Sequence, residues 1–69
     1  MRLKINGEEK DIPKAVTVSE LLSDLGIAPG RVAVEVNQSV IKRAEHGTFR
    51  LKEGDAVEIV NFVGGGQEI

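Results

Sequence analysis

The sequence predicts an α+β domain in which a mixed sheet of four to five strands carries one helix packed on one face. Three observations lead there. Apolar residues alternate with polar ones in short runs at the start, middle and end of the chain, which is the period of half-buried strands. Between the early and middle runs lies one stripe at helical spacing with its own start and stop signals. The chain has 69 residues, which suits one small domain that buries only about 60% of its unfolded surface.

Residues 1–5 set Leu3 and Ile5 on one face and Arg2 and Lys4 on the other. Asn6-Gly7 follows, and a type I′ hairpin turn needs positive φ at both central positions, which this pair tolerates best. A second strand is expected to return over residues 8–12, with Glu9 and Asp11 outward and Pro13 ending it, a pattern that suits a solvated edge.

Thr17-Val18-Ser19-Glu20 fits a capping box, the threonine hydroxyl accepting from first-turn amides while Glu20 reaches back to the cap amide. A helix is expected from Val18. Val18, Leu21, Leu22 and Leu25 fall at i, i+3, i+4 and i+7, and Gly26 stands where a left-handed residue ends a helix. A stripe at this spacing is read as core, not as a partner-binding ridge.

Pro29-Gly30 predicts a turn, after which Val32, Val34 and Val36 share one face of a strand expected to join the hairpin's sheet. Asn37-Gln38-Ser39 reads as a turn, and Val40-Ile41 as a short strand ended by Lys42-Arg43. Residues 44–48 read as a loop. They hold the chain's single histidine, His46, which without a second ligand nearby is expected to be solvated and is assigned no chemistry. Phe49 and Leu51 alternate, residues 52–55 make a turn, and the last strand is expected over residues 56–62. Val57 and Ile59 then face the helix, while Glu58, Val60 and Phe62 face away. An exposed valine and phenylalanine there look like a docking patch; the competing reading folds Phe62 over the sheet edge, under residues 44–48.

Composition removes several function classes. Apolar residues at 41% and charged residues at 29% are ordinary for a folded domain. With no cysteine there is neither a disulfide nor a thiolate nucleophile or zinc ligand. Nine basic residues against eleven acidic ones give a net charge of −2 and no footprint for nucleic acid. No apolar run approaches the roughly 18 residues of a membrane span, and the start lacks a signal-peptide core. The reading is a soluble cytoplasmic monomer with no bound metal or cofactor. It is not an enzyme on its own, since it has no phosphate loop and no clustered carboxylates; Glu8-Glu9 and residues 53–55 read as solvated turns.

Near its end the chain runs through Gly64, Gly65 and Gly66. Ordering each glycine costs on the order of 1–2 kcal/mol of backbone entropy with no side-chain burial to offset it. The expectation is therefore a globular part over residues 1–63 and a free tail over residues 64–69. Such a tail can thread a narrow channel, and a carboxyl on glycine is unhindered. Taken alone, a frayed glycine-rich end is the simpler reading.

The order hairpin, helix, strand, short strand, loop, strand is that of the ubiquitin-like β-grasp fold. MRLKING at residues 1–7, the helix at 17–25, AVEVNQSVI at 33–41, EGDAVEIV at 53–60 and FVGGG at 62–66 together resemble the ThiS family of sulfur carriers in thiamin biosynthesis. The resemblance covers essentially the whole chain. It implies that the C-terminal glycine, here Gly66, is adenylated with ATP by a ThiF-like adenylyltransferase and converted to a thiocarboxylate, whose sulfur passes to a ThiG-like thiazole synthase. Gly64 and Gly65 would be the threading arm, with Val60, Phe62 and Val63 near the partner. ATP is then used by the activating partner and not held by this chain.

Two departures stand out. Gln67, Glu68 and Ile69 follow Gly66, so loading there requires a trimming protease. Lys42-Arg43 also replaces the proline and arginine frequent in the family at that turn. Two alternatives remain open at this point: a MoaD-type carrier for molybdopterin synthesis, against which the short chain and Asn61-Phe62-Val63 argue, and a β-grasp binding module that never carries sulfur, which residues 67–69 favour.

Overall fold

The computed structural model describes residues 1–13 and 16–61. The expected final strand residue Phe62, and all of residues 63–69, lie outside the described part.

Strand β1 (Arg2–Ile5) turns through Asn6 and Gly7, at φ 50° and 86°, into β2 (Glu8–Asp11). The positive φ values are those the Asn-Gly pair predicts. Every residue of β2 is exposed. Helix α1 (Val18–Asp24) opens on the complete capping box, Thr17 Oγ1 accepting from Glu20 N at 3.2 Å and Glu20 Oε1 accepting from Thr17 N at 3.1 Å. Val18, Leu21 and Leu22 are buried. Leu25 is the C-cap and only partly buried, and Gly26 at φ 73° ends the turn.

Pro29–Arg31 is a short 3₁₀ helix rather than a simple turn, with Pro29 at its first position, where a missing N–H goes unused. Strand β3 (Val32–Val36) follows with alternating burial, then β4 (Ser39–Ile41) after a two-residue turn at Asn37 and Gln38, φ 51° and 73°. The final strand is β5 (Ala56–Asn61).

The five strands lie in the order β2-β1-β5-β3-β4. The last strand thus sits at the centre, parallel to β1 and antiparallel to β3. That parallel pair makes the sheet mixed. Leu3, Ile5, Val57, Val34, Val36 and Ile41 line its inner face against Val18, Leu21 and Leu22, at roughly 1.5–3 kcal/mol for each fully buried side chain.

The loop after β4 departs from expectation. It winds as a 3₁₀ helix at Arg43–Glu45, and His46 is 3% exposed. Its Nε2 lies 3.1 Å from the Ile41 carbonyl, and its own carbonyl accepts from Ser19 N at 2.8 Å. A carbonyl only accepts, so Nε2 carries the proton. The histidine expected to be solvated is instead a buried tie between β4 and the start of α1. Asp55 is likewise buried, not solvated. Its carboxylate accepts from Lys52 N at 2.8 Å and from Asn37 Nδ2 at 2.9 Å, which satisfies the charge where the chain turns into β5.

Candidate functional site

Strand β5 is the stem from which the glycine-bearing segment leaves, and its two flanks are held differently. On the β3 side the ladder runs its full length, Val36 opposite Val57 through to Val32 opposite Asn61. On the β1 side the register ends at Lys4 opposite Ala56 and Ile5 opposite Val57. Asn6 then takes over. Its backbone N–H donates to Val57 O at 2.8 Å, while its side chain donates from Nδ2 to Ile59 O at 3.2 Å and accepts at Oδ1 from Ile59 N at 2.7 Å. One asparagine amide therefore does what another strand residue would have done.

A second asparagine anchors the other end of β5. Asn37 donates its N–H to Ala56 O at 2.7 Å and accepts at Oδ1 from Ala56 N at 3.0 Å. Past Ile59, among the described residues, only β3 holds the strand, as far as Val32 opposite Asn61.

Of the residues expected near a partner, Val60 is placed, 53% exposed on the sheet face away from α1. Glu58 shares that exposed face, and Val57 is fully buried on the other, as the alternation predicts. Phe62, Val63, Gly64, Gly65 and Gly66 lie outside the described residues, as does the competing placement of Phe62 under residues 44–48. On the α1 side of the stem, Ile5, Leu25, Ile27, Ile59 and Asn61 line an open groove of about 450 Å³.

Sequence reasoning missed the two asparagine clamps, since Asn6 and Asn37 had been read only as turn formers. The signal lay in the residue type: a side-chain amide offers the same donor and acceptor as a peptide group. No described helix is long and apolar enough to cross a membrane.

Comparison with known proteins gives the same outline. The family model described as "ThiS family" matches residues 3–66, and so ends on the third glycine. The chain is 43% identical over 67 residues to a thiazole synthase of Magnetococcus marinus, covering 97% of this chain and 21% of that protein. It therefore spans about a fifth of the length of that relative. It is 34% identical over 65 residues to the sulfur carrier protein ThiS of Bacillus subtilis, covering 93% of this chain and 98% of that one. The crystal structure of a thiamine biosynthesis protein (ThiS) from Geobacter metallireducens superposes with a TM-score of 0.84 at 38% identity, covering 94% of this chain and 99% of that one.

Proposed function

The chain belongs to the ThiS family, and from that membership we propose that it is a sulfur carrier of thiamin biosynthesis, loaded at Gly66 and emptied by a thiazole synthase. The observation that carries the reading is the family match itself, which runs over residues 3–66 and ends on the third glycine, Gly66. The thiamine and thiazole names of the relatives favour this pathway over the molybdopterin alternative.

The chemistry follows from the carboxyl group. A carboxylate is a poor electrophile because its leaving group would be oxide. Attack of one carboxylate oxygen on the α-phosphorus of ATP, with loss of pyrophosphate, installs AMP as a good leaving group. Hydrosulfide-level sulfur from a donor then displaces AMP at the acyl carbon with loss of its proton, and the resulting thiocarboxylate is an anionic sulfur donor at neutral pH. An activating enzyme of the ThiF type supplies the ATP site, and this chain supplies the handle. Residues 1–63 serve as the recognition body and residues 64–69 as the tail. The absence of cysteine leaves the chain no thiol to compete for the acyl-adenylate. The cytoplasm, where ATP is at hand, is the proposed compartment.

Gly66 can be activated only once its carboxyl is free, so we include removal of Gln67, Glu68 and Ile69 by a protease. Intact mass of the protein recovered from its own cells tests this step. A chain ending at Gly66 is expected, and only full-length chain in thiamin-producing cells would overturn it.

A further inference from the structure

The turn between β1 and β2 holds a chemically reactive pair. The chain has three asparagines, Asn6, Asn37 and Asn61, and only Asn6 is followed by glycine. An asparagine's amide carbon can close a five-membered ring with the next residue's backbone nitrogen, which makes it one of the thermolabile residues. Closure is easiest before glycine, because no Cβ crowds the attacking nitrogen. Here both residues are exposed. Nothing among the described residues lies within 4 Å of where a Cβ on Gly7 would stand, so water and base reach its N–H.

The fold restrains the same pair. Ile59 grips the Asn6 amide at both ends, its N–H donating to Oδ1 at 2.7 Å and its carbonyl accepting from Nδ2 at 3.2 Å. Cγ cannot swing towards the Gly7 nitrogen while both bonds hold, so ring closure waits for the clamp to open. Asn37 supplies an internal control. Its amide is also held at both ends, by Ala56 N at 3.0 Å and the Asp55 carboxylate at 2.9 Å, but the next residue is Gln38, which has a Cβ.

We propose that Asn6 is a site of spontaneous deamidation, gated by its own clamp on β5, and that the modification loosens the strand it had held. Gly7 gives its amide proton to base and its nitrogen bonds to Asn6 Cγ. The Cγ–Nδ2 bond breaks, Nδ2 takes a proton from solvent, and ammonia leaves a succinimide behind. Water then adds to one of the two ring carbonyls and that C–N bond breaks. Opening at Cγ gives aspartate; opening at the main-chain carbonyl gives isoaspartate. The net exchange is one water in and one ammonia out, with no oxidant or reductant. One carboxylate added to a net charge of −2 gives −3.

Both products weaken the clamp. A carboxylate only accepts, so aspartate keeps the acceptor for Ile59 N–H but loses the donor to Ile59 O and sets a charge against that carbonyl. Isoaspartate goes further. It adds a methylene to the main chain within a two-residue turn, where the pairing of Ile5 with Glu8 leaves no slack.

The test keeps the full chain in warm, mildly alkaline buffer, folded in one sample and unfolded in guanidinium chloride in the other, and maps its peptides by mass over time. A gain equal to the exchange of NH for O is expected at Asn6 and not at Asn37, as a mixture of isoaspartate and aspartate. The folded chain should react about tenfold more slowly than the unfolded one, the factor expected of a two-bond clamp. Once isolated, the isoaspartate form should exchange its Ile59 N–H faster and melt lower than the unmodified chain. An Asn6 that stays intact in the folded chain overturns the proposal, as does aspartate without isoaspartate, since direct hydrolysis bypasses the ring. Equal rates in the two states overturn the gating, and an isoaspartate form that matches the unmodified chain in exchange and melting overturns the loosening.

Discussion

The side-chain amide of Asn6 holds Ile59 by two hydrogen bonds, 2.7 and 3.2 Å, at the point where β1 has stopped pairing with β5. Asn6→Ala removes both and leaves an alanine at φ 50°. Two bonds of this kind are together worth about 1–2 kcal/mol net, and a left-handed alanine adds about 1 kcal/mol. The expected loss is about 2–3 kcal/mol, which in a domain of this size lowers the melting temperature by about 10–20 °C. Asn6→Gly keeps the backbone relaxed and loses only the bonds, so it should fall about 1 kcal/mol short of the alanine loss. Urea unfolding of the three proteins measures both quantities, and amide exchange localises them. The Ile59 N–H, protected by Asn6 Oδ1, should exchange much faster in either variant. If both variants unfold within 0.5 kcal/mol of the wild type, or if Ile59 exchange does not change, the side chain is not standing in for a strand.

Other substitutions probe separate parts of the account. Thr17→Ala deletes half of the capping box and should lose about 1 kcal/mol by urea unfolding. His46→Ala empties a buried position and frees the Ile41 carbonyl, for an expected loss of about 2–4 kcal/mol; a loss under 0.5 kcal/mol would return that histidine to the solvent. Changing Gly65 and Gly66 together to alanine should leave the melting temperature as it is and abolish loading, whereas retained carrier function would favour a binding module.

Much of this fold was legible because its signals are local. Asn6-Gly7 dictates the first hairpin, Thr17 and Glu20 fix the helix start, and Val32, Val34 and Val36 mark β3 by alternation alone. What escaped is non-local. The parallel pairing of β1 with β5 joins residues more than fifty positions apart, and nothing in either strand's own pattern names its neighbour. His46 and Asp55 were read as solvated because each sits among polar loop residues. Their burial goes with partners outside their own turns: Ile41, five residues back, takes the His46 ring Nε2–H, Ser19 bonds the His46 carbonyl, and Asn37 bonds the Asp55 carboxylate. At the candidate site, the exposure of Val60 followed from period 2, but the facing of Glu35 and Glu58 required the β3–β5 register.

The central claim is that Gly66 is charged with sulfur, and mass spectrometry addresses it directly. The chain trimmed after Gly66 is incubated with ATP, a ThiF-like enzyme and a sulfur donor, and the intact mass is read before and after. The account predicts a gain equal to the exchange of one oxygen for sulfur, located by fragmentation on the terminal glycine. A chain that keeps its original mass while a known carrier is loaded in the same mixture would contradict it.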